Sequence, residues 1–404
     1  MLLSLEQMFG LLMPSSAMIA MRTAIINTGL GIAMQGIAEF KLERYFGKYE
    51  FAAQWLLSPS DCESVTVPEL VAMADAESRQ LWEGLHLGYT ESSGHPLLRA
   101  AIAEMYQQVG PGGIIVAAPE ELIYIAMHSL LQPDDHVIYT APAYQSLYAV
   151  ARSIGCEATP WYLAAKEGQW GLDIDQLERM VTQRTKLLVI NFPHNPTGYI
   201  PSQADLLRIV DFARAHGLYL FSDEMYRLLE HDERLRLPPL CDLYERAITL
   251  SGMSKTFGLP GLRIGWLATQ QTDLPPHWLM LKDYTTICNS APSEILALMG
   301  LRVGDQLAQR NLTIVRENLR TVEAFCAGHA NLIQWFRPQG GSTAFPRWLG
   351  DEPLEALCQR ALDEQGLMIV PGAMFDLPGN HFRIGLGRRN FPQVLEHFDQ
   401  LLTQ

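Results

Sequence analysis

Continuous apolar runs alternate with amphipathic ones through the middle of the chain. Residues 186–192 read Lys-Leu-Leu-Val-Ile-Asn-Phe and residues 218–222 read Leu-Tyr-Leu-Phe-Ser. Runs apolar at successive positions predict strands of a parallel sheet covered on both faces. Residues 132–139 predict a turn and then a strand, and residues 114–131 a strand, a turn and a helix. Between Asp205 and His216 the pattern is that of an amphipathic helix, with Gly217 as its stop. Residues 40–46 predict a short amphipathic helix, 58–61 a loop, and Pro68 a helix start. From about Leu274 helices dominate, and residues 283–300 and 305–327 predict long ones. Residues 340–347, 367–372 and 382–386 predict short strands of a second, smaller region.

The first residues do not fit this rhythm. Residues 1–34 are apolar and Met-rich, but Glu6, Pro14, Arg22, Gly29 and Gly31 interrupt them. No clean apolar span of about 20 residues results, and no positive charge precedes the run. The leading reading is an N-terminal extension over 1–36, with a helical arm against a partner subunit or membrane attachment as alternatives. The remaining organisation expected is an N-terminal arm over 37–67, a large domain over 68–280, and linking helices with a C-terminal small domain over 281–404.

Composition narrows the function classes. The chain has 404 residues, 48% of them hydrophobic, which is enough for a large core. Its formal charge is -14 and its 30 basic residues form no long run, so nucleic acid is not an expected partner. The six cysteines, at positions 62, 156, 241, 288, 326 and 358, are too scattered for a metal-type pair or a dense disulfide framework. That pattern fits a reducing cytoplasm. No HExxH or similar histidine cluster occurs, so no metal site is expected.

Three strings carry chemistry. The first is Ser251-Gly252-Met253-Ser254-Lys255-Thr256-Phe257-Gly258-Leu259-Pro260-Gly261-Leu262-Arg263-Ile264-Gly265. Burial favours the neutral amine of a lysine, which is a nucleophile toward carbonyls and forms Schiff bases. The Ser254 hydroxyl and the Arg263 guanidinium suit a phosphate dianion. An aldehyde with a phosphate handle is pyridoxal 5'-phosphate. The second string, Pro193-His194-Asn195-Pro196-Thr197-Gly198, follows a predicted strand and pins an amide donor at its carboxyl end. The third, Asp223-Glu224-Met225-Tyr226, also leaves a strand end. In open α/β folds, sites form beyond the carboxyl ends of strands. A carboxylate there can keep a pyridine nitrogen protonated, so that the ring acts as an electron sink.

In this order the strings resemble those of fold-type I pyridoxal-phosphate enzymes, the class I/II aminotransferase superfamily, over roughly residues 37–404. The resemblance implies an α/β fold with a mostly parallel seven-stranded sheet between helices, a smaller α+β domain, and a homodimer with shared active sites. It implies Lys255 as the catalytic, cofactor-bearing lysine and Asp223 on the ring nitrogen. Asn195 and Tyr226 would donate to the phenolate oxygen. Tyr144, in Pro142-Ala143-Tyr144, would stack on the ring. Ser254 and Arg263 would hold the phosphate, with Pro119 and Glu120 at the phosphate turn. Tyr89, in Gly88-Tyr89-Thr90, would reach the phosphate of the partner subunit's cofactor. Arg383, in Phe382-Arg383-Ile384-Gly385, would grip the substrate α-carboxylate beside Asn195.

One departure stands out. Ala118-Pro119-Glu120-Glu121 replaces the family's glycine-rich turn. Pro119 has no N–H to donate, and a glutamate beside a phosphate is unfavourable unless it points outward. Within the superfamily, Asn191-Phe192-Pro193-His194-Asn195-Pro196 and Gly341-Ser342-Thr343-Ala344-Phe345-Pro346-Arg347 look most similar to capreomycidine-synthase-like enzymes. That subgroup implies elimination and ring closure on a hydroxylated arginine. The first expectation is amino transfer on an α-amino acid, with a lyase or cyclase as the alternative. A non-catalytic regulatory module is the remote alternative. Such modules carry a winged helix-turn-helix domain at the N-terminus, whereas the residues before 37 are apolar rather than basic.

Overall fold

The computed structural model describes residues 36–403 apart from Glu167. The reading of residues 1–36 as an extension therefore falls, but for Gly36, outside the described residues. The chain divides at residue 38, and the compact unit is Glu39–Gln404.

Its centre is a seven-stranded sheet. The strands are β1 (Ile114–Ala117), β2 (His136–Ala141), β3 (Glu157–Tyr162), β4 (Thr185–Asn191), β5 (Tyr219–Asp223), β6 (Ala247–Gly252) and β7 (Gly265–Thr269). Their spatial order is β1-β7-β6-β5-β4-β2-β3. Only β7 runs against its neighbours; the other pairs are parallel. Except at the edge strand β3, the sheet is buried on both faces, which is why its strands are apolar at successive positions. Along β4, Leu187 and Val189 join the core beneath helices Pro119–Leu130 and Ser146–Ile154. Leu188 and Ile190 join the opposite core, against Leu206, Ile209 and Val210 of helix Gln203–Ala215. Each such aliphatic side chain contributes roughly 1.5–3 kcal/mol through burial.

The register brings three strand ends together. Asn191 pairs with Asp223, and Asp223 with Leu250. The loops that leave β4, β5 and β6 therefore emerge side by side at one edge of the sheet.

A second region packs around the chain's beginning and end. Strand Trp55–Leu56 pairs in parallel with Leu367–Met368. Strand Phe382–Gly385 lies between Thr343–Ala344 and Val370–Pro371. Helix Lys41–Tyr49 is docked on this region, where the Tyr45 hydroxyl donates to Ile369 O at 2.7 Å. The long helix Gly304–Gly328 bridges to the sheet. Asn311 Nδ2 donates to Thr256 O at 2.9 Å, and Asn318 Nδ2 to Leu386 O at 2.9 Å.

One expectation is corrected. Residues 283–300 do not form a single helix: Leu274–Lys282 ends, a turn follows, and a new helix runs Ala291–Arg302. Pro292 lies in the first turn of that helix, where its missing N–H costs nothing. Within the turn Ile287 takes a left-handed conformation, with φ 65°. Lys282 is fully buried and donates to Ser92 O at 2.7 Å, tying the turn to the segment that carries Tyr89. Among the described residues, no helix is long and apolar enough to cross a membrane.

Candidate active site

The three strand-end loops and the start of helix Pro119–Leu130 enclose a cleft with about 680 Å³ of open space. Lys255, Asp223, Asn195, Tyr226, Tyr144, Ser254, Arg263, Pro119 and Glu120 all line it, so residues far apart in sequence meet in one place. Tyr89 does not: it is 94% exposed, beside a different concavity formed with residues 286–292.

Lys255 follows β6 and is half-buried. Its Nζ donates to Ser60 Oγ at 2.9 Å. Asp223, the last residue of β5, accepts from Met225 N at 3.1 Å. Burial pushes its carboxyl up from 3.8 to about 7, and the nearby Glu120 adds to this; the Met225 N–H and Lys255 oppose it. The carboxylate is thus buried with too few partners to hold its charge, and a cation placed against it would restore that charge.

Asn195 is buried behind β4, with its N–H donating to Asn191 Oδ1 at 2.8 Å. Its side-chain Oδ1 accepts from Arg383 Nη1 at 3.3 Å, which leaves the amide NH₂ to donate elsewhere. Tyr226 and Ser254 are buried with hydroxyls that have no partner. Buried polar atoms without partners are uncommon and ask for an explanation.

The phosphate turn has its own logic. Pro119 occupies the first turn of its helix, where a proline is tolerated. A side chain at Gly265 would place its Cβ 2.9 Å from Pro119 Cγ, so a glycine on β7 is what lets this turn approach the sheet. Arg263 sits just before β7 in a left-handed conformation, φ 54°, and is exposed, with Nη1 donating to Pro260 O at 3.2 Å. Burial raises the Glu120 carboxyl above its ordinary value, which disfavours its charged form.

Arg383 does not line the cleft directly but stands behind Asn195. It is 1% exposed and has no carboxylate partner among the described residues. Nε donates to Ser58 O at 3.0 Å, while Nη2 has no partner. The guanidinium also lies over the rings of Phe46 and Phe375, 5.6 and 5.3 Å from their centroids. Its burial lowers its pKa. A buried guanidinium with a free N–H is a costly arrangement that a carboxylate would relieve.

Two contributors were not picked out from the sequence. Ser60 comes from the loop read only as a connection. Glu43, on helix Lys41–Tyr49, accepts from the Tyr144 hydroxyl at 2.8 Å. Neither lies in a motif, and each reaches the site across a long stretch of sequence.

These side chains fit pyridoxal 5'-phosphate. A free hydroxyl on Ser254 and, on Arg263, a guanidinium without a carboxylate partner among the described residues meet the needs of a phosphate. The buried carboxylate suits a protonated ring nitrogen, and the free hydroxyl and amide suit a ring oxygen. Lys255 lines the same cleft.

Comparison with known proteins agrees. The family model "Aminotransferase class I and II" matches residues 61–396. Capreomycidine synthase from Streptomyces vinaceus is 33% identical over 360 residues, covering 88% of this chain and 91% of that protein. Aromatic-amino-acid aminotransferase 2 from Thermococcus litoralis is 29% identical, covering 73% and 78% respectively. Among solved structures, a PLP-dependent aminotransferase from Streptococcus suis superposes with a TM-score of 0.85 at 29% identity, over 91% of this chain and 98% of that one. The PLP-dependent cyclase OrfR superposes with a TM-score of 0.80 at 27% identity, over 89% and 97%.

Proposed function

We propose, from the premise that the chain belongs to the class I and II aminotransferase family and uses pyridoxal 5'-phosphate, that it transfers the amino group of an α-amino acid. The observation that carries this reading is the buried, carboxylate-free Arg383 joined to Asn195 at the edge of a cleft that also holds Lys255.

Pyridoxal 5'-phosphate, when bound, supplies an aldehyde that condenses with amines and a ring that takes up an electron pair. The chain's own residues do the rest. Arg383 binds the substrate α-carboxylate through the N–H that has no internal partner. Lys255 holds the cofactor between turnovers, and once displaced its amine takes the proton from the α-carbon and returns it elsewhere. Asp223 keeps the ring nitrogen protonated. Asn195 and Tyr226 would donate to the ring oxygen, and Tyr144 would cover one face of the ring and exclude water from it. Ser254, Arg263 and the helix start at Pro119 and Glu120 hold the phosphate, with the N–H groups beyond Pro119 as donors.

The cleft also bears on the substrate. The cations among its lining residues are Lys255 and Arg263, and its carboxylates are Glu120 and Asp223, with Glu43 behind Tyr144. Among the described residues that line the cleft, no guanidinium besides Arg263 faces a second substrate carboxylate, which favours a substrate with a neutral or basic side chain.

The second reading is elimination followed by ring closure. It is supported by the likeness to capreomycidine synthase and to the cyclase OrfR. Incubation of the holoenzyme with single amino acids, with and without a 2-oxo acid acceptor, separates the two. Amino transfer consumes the acceptor stoichiometrically. Product formation beyond one equivalent per enzyme without an acceptor overturns the first reading in favour of the second.

We also place the enzyme in a homodimer, in which Tyr89 of the partner subunit reaches the phosphate. Leu87, Tyr89 and Tyr284 are large, apolar and almost fully exposed, as an unfilled interface would be. All six cysteines are free, which suits a cytoplasmic setting.

A further inference from the structure

The loop that follows strand Trp55–Leu56 touches both ends of the reaction. Ser58 O accepts from Arg383 Nε at 3.0 Å, Ser58 Oγ donates to Arg383 O at 2.5 Å, and Val370 N donates to Ser58 Oγ at 2.9 Å. Two residues on, Ser60 Oγ accepts from Lys255 Nζ at 2.9 Å. The loop is fixed between these points. Ser342 Oγ donates to Ser60 O at 2.7 Å, and Arg388 Nη2 to Asp61 Oδ2 at 2.7 Å. The terminal strand presses closely against it: a Cβ at Gly385 would come within 1.9 Å of Pro59 O, and one at Gly387 within 2.3 Å of Asp61 O.

From this arrangement we infer that Ser60 is a positioning residue for Lys255, holding the amine by one N–H so that its lone pair is presented to the reacting carbon. The inference rests on the reading of Lys255 given above. A lysine side chain has four flexible torsions, and an unanchored amine would sample many directions. One hydrogen bond to a hydroxyl on a rigid loop removes much of that freedom before the reaction begins. A hydroxyl both accepts and donates, so it serves the amine in its neutral and its protonated state. In the step itself the bond between the α-carbon and its hydrogen breaks and the proton goes to the Lys255 nitrogen. The electron pair stays with the carbon and is spread into the cofactor ring. Ser60 does not keep the proton; it fixes where the nitrogen waits for it. Because the same loop also binds Arg383, the carboxylate clamp and the amine are held at a set separation.

Among the described residues the serine hydroxyl has no other hydrogen-bond partner, and the Ser60 carbonyl keeps its own bond to Ser342. Ser60→Ala therefore removes the contact with Lys255 and leaves the loop's ties in place. Two measurements test it. The first follows exchange of the α-hydrogen of L-alanine, L-methionine and L-arginine in heavy water by the holoenzyme. The second follows the rate at which pyridoxal 5'-phosphate builds its visible absorbance band on cofactor-free protein, and needs no substrate. For Ser60→Ala both rates fall about 10- to 100-fold, with the loss in kcat and KM near the wild-type value. Ser60→Thr, which keeps a hydroxyl, restores most of the rate. Ser60→Gly gives an independent hydroxyl-free comparison, and melting temperatures confirm that all variants fold. Wild-type rates in Ser60→Ala, or a Thr variant no better than the Ala variant, overturn the inference while leaving the proposed function intact. A wild-type protein that forms no band overturns both.

Discussion

The half of the site carried by the sheet is built differently from the half brought to it from outside. Asn195, Asp223 and Lys255 leave adjacent strands, and their spacing is set by the hydrogen-bond ladder of β4, β5 and β6. Ser60, Glu43 and Arg383 belong to the arm and the terminal strands. They join the site through side-chain contacts between segments 101 to 325 residues apart, such as Tyr144 to Glu43, Lys255 to Ser60 and Arg383 to Ser58. On the proposed reading, the sheet half supplies the chemistry common to the cofactor, and the outer half recognises the substrate and orients the lysine. Loss of a sheet residue should stop the reaction, whereas loss of an outer residue should change its efficiency and its selectivity.

The largest expected effect tests the first half of that contrast. Lys255→Ala lowers turnover by about 10⁴-fold, the upper range for a general base, with melting temperature nearly unchanged because the side chain is only half-buried. A variant retaining a tenth of wild-type turnover would place the chemistry elsewhere.

Next comes the carboxylate clamp. Arg383→Ala should cut kcat/KM about 100-fold, as expected for losing charge-assisted hydrogen bonds to a substrate. Arg383→Lys should recover little, because an ammonium cannot reproduce the fork. Equal activity in the Lys variant would show that charge alone suffices there.

Asp223 gives a pH test within the sheet half. Its carboxyl is raised from 3.8 to about 7, so the folded state holds a proton that the unfolded chain releases earlier. This contribution to stability is complete below the unfolded value and is lost as pH rises through the folded one. Cofactor-free wild type should therefore lose melting temperature, relative to Asp223→Asn, between about pH 4 and pH 8. With cofactor bound the order reverses, since the ring nitrogen now neutralises the carboxylate. Differential scanning of both proteins, with and without cofactor, measures this directly. A wild-type minus variant difference that does not move with pH would contradict the burial argument.

The smallest effect sharpens the outer half. Glu43→Gln keeps an acceptor for Tyr144 but removes a charge. It should lower kcat/KM for basic amino acids about fivefold more than for neutral ones, the size of one modest charged interaction. An equal change for both classes would mean that Glu43 plays no part in selection.

The same division governs what could be read from the sequence. The strand-end motifs were legible because each is a short string that follows a continuous apolar run, and a parallel ladder places such ends together. The doubly buried sheet was legible for the same reason. Ser60 and Glu43 were not, because an isolated serine in a loop and a glutamate on an amphipathic helix carry no local mark of where they dock. The turn after Lys282 was also missed: residues 283–300 are helix-compatible, and only Pro292 and the tertiary tie of Lys282 to Ser92 signal the break. The altered turn at Pro119 and Glu120 was visible as a departure. Its accommodation depends on Gly265 of a different strand, which no local pattern reveals.

The most direct test is the absorbance spectrum of the purified protein with pyridoxal 5'-phosphate, recorded alongside Lys255→Ala and after addition of single amino acids. The account predicts a visible band in the wild type that is absent, as a lysine-linked species, in the variant, and that changes when a substrate amino acid is added. A wild-type protein that shows no such band at saturating cofactor, or a Lys255→Ala variant whose spectrum and response match it, would contradict the assignment of Lys255 as the centre of the site.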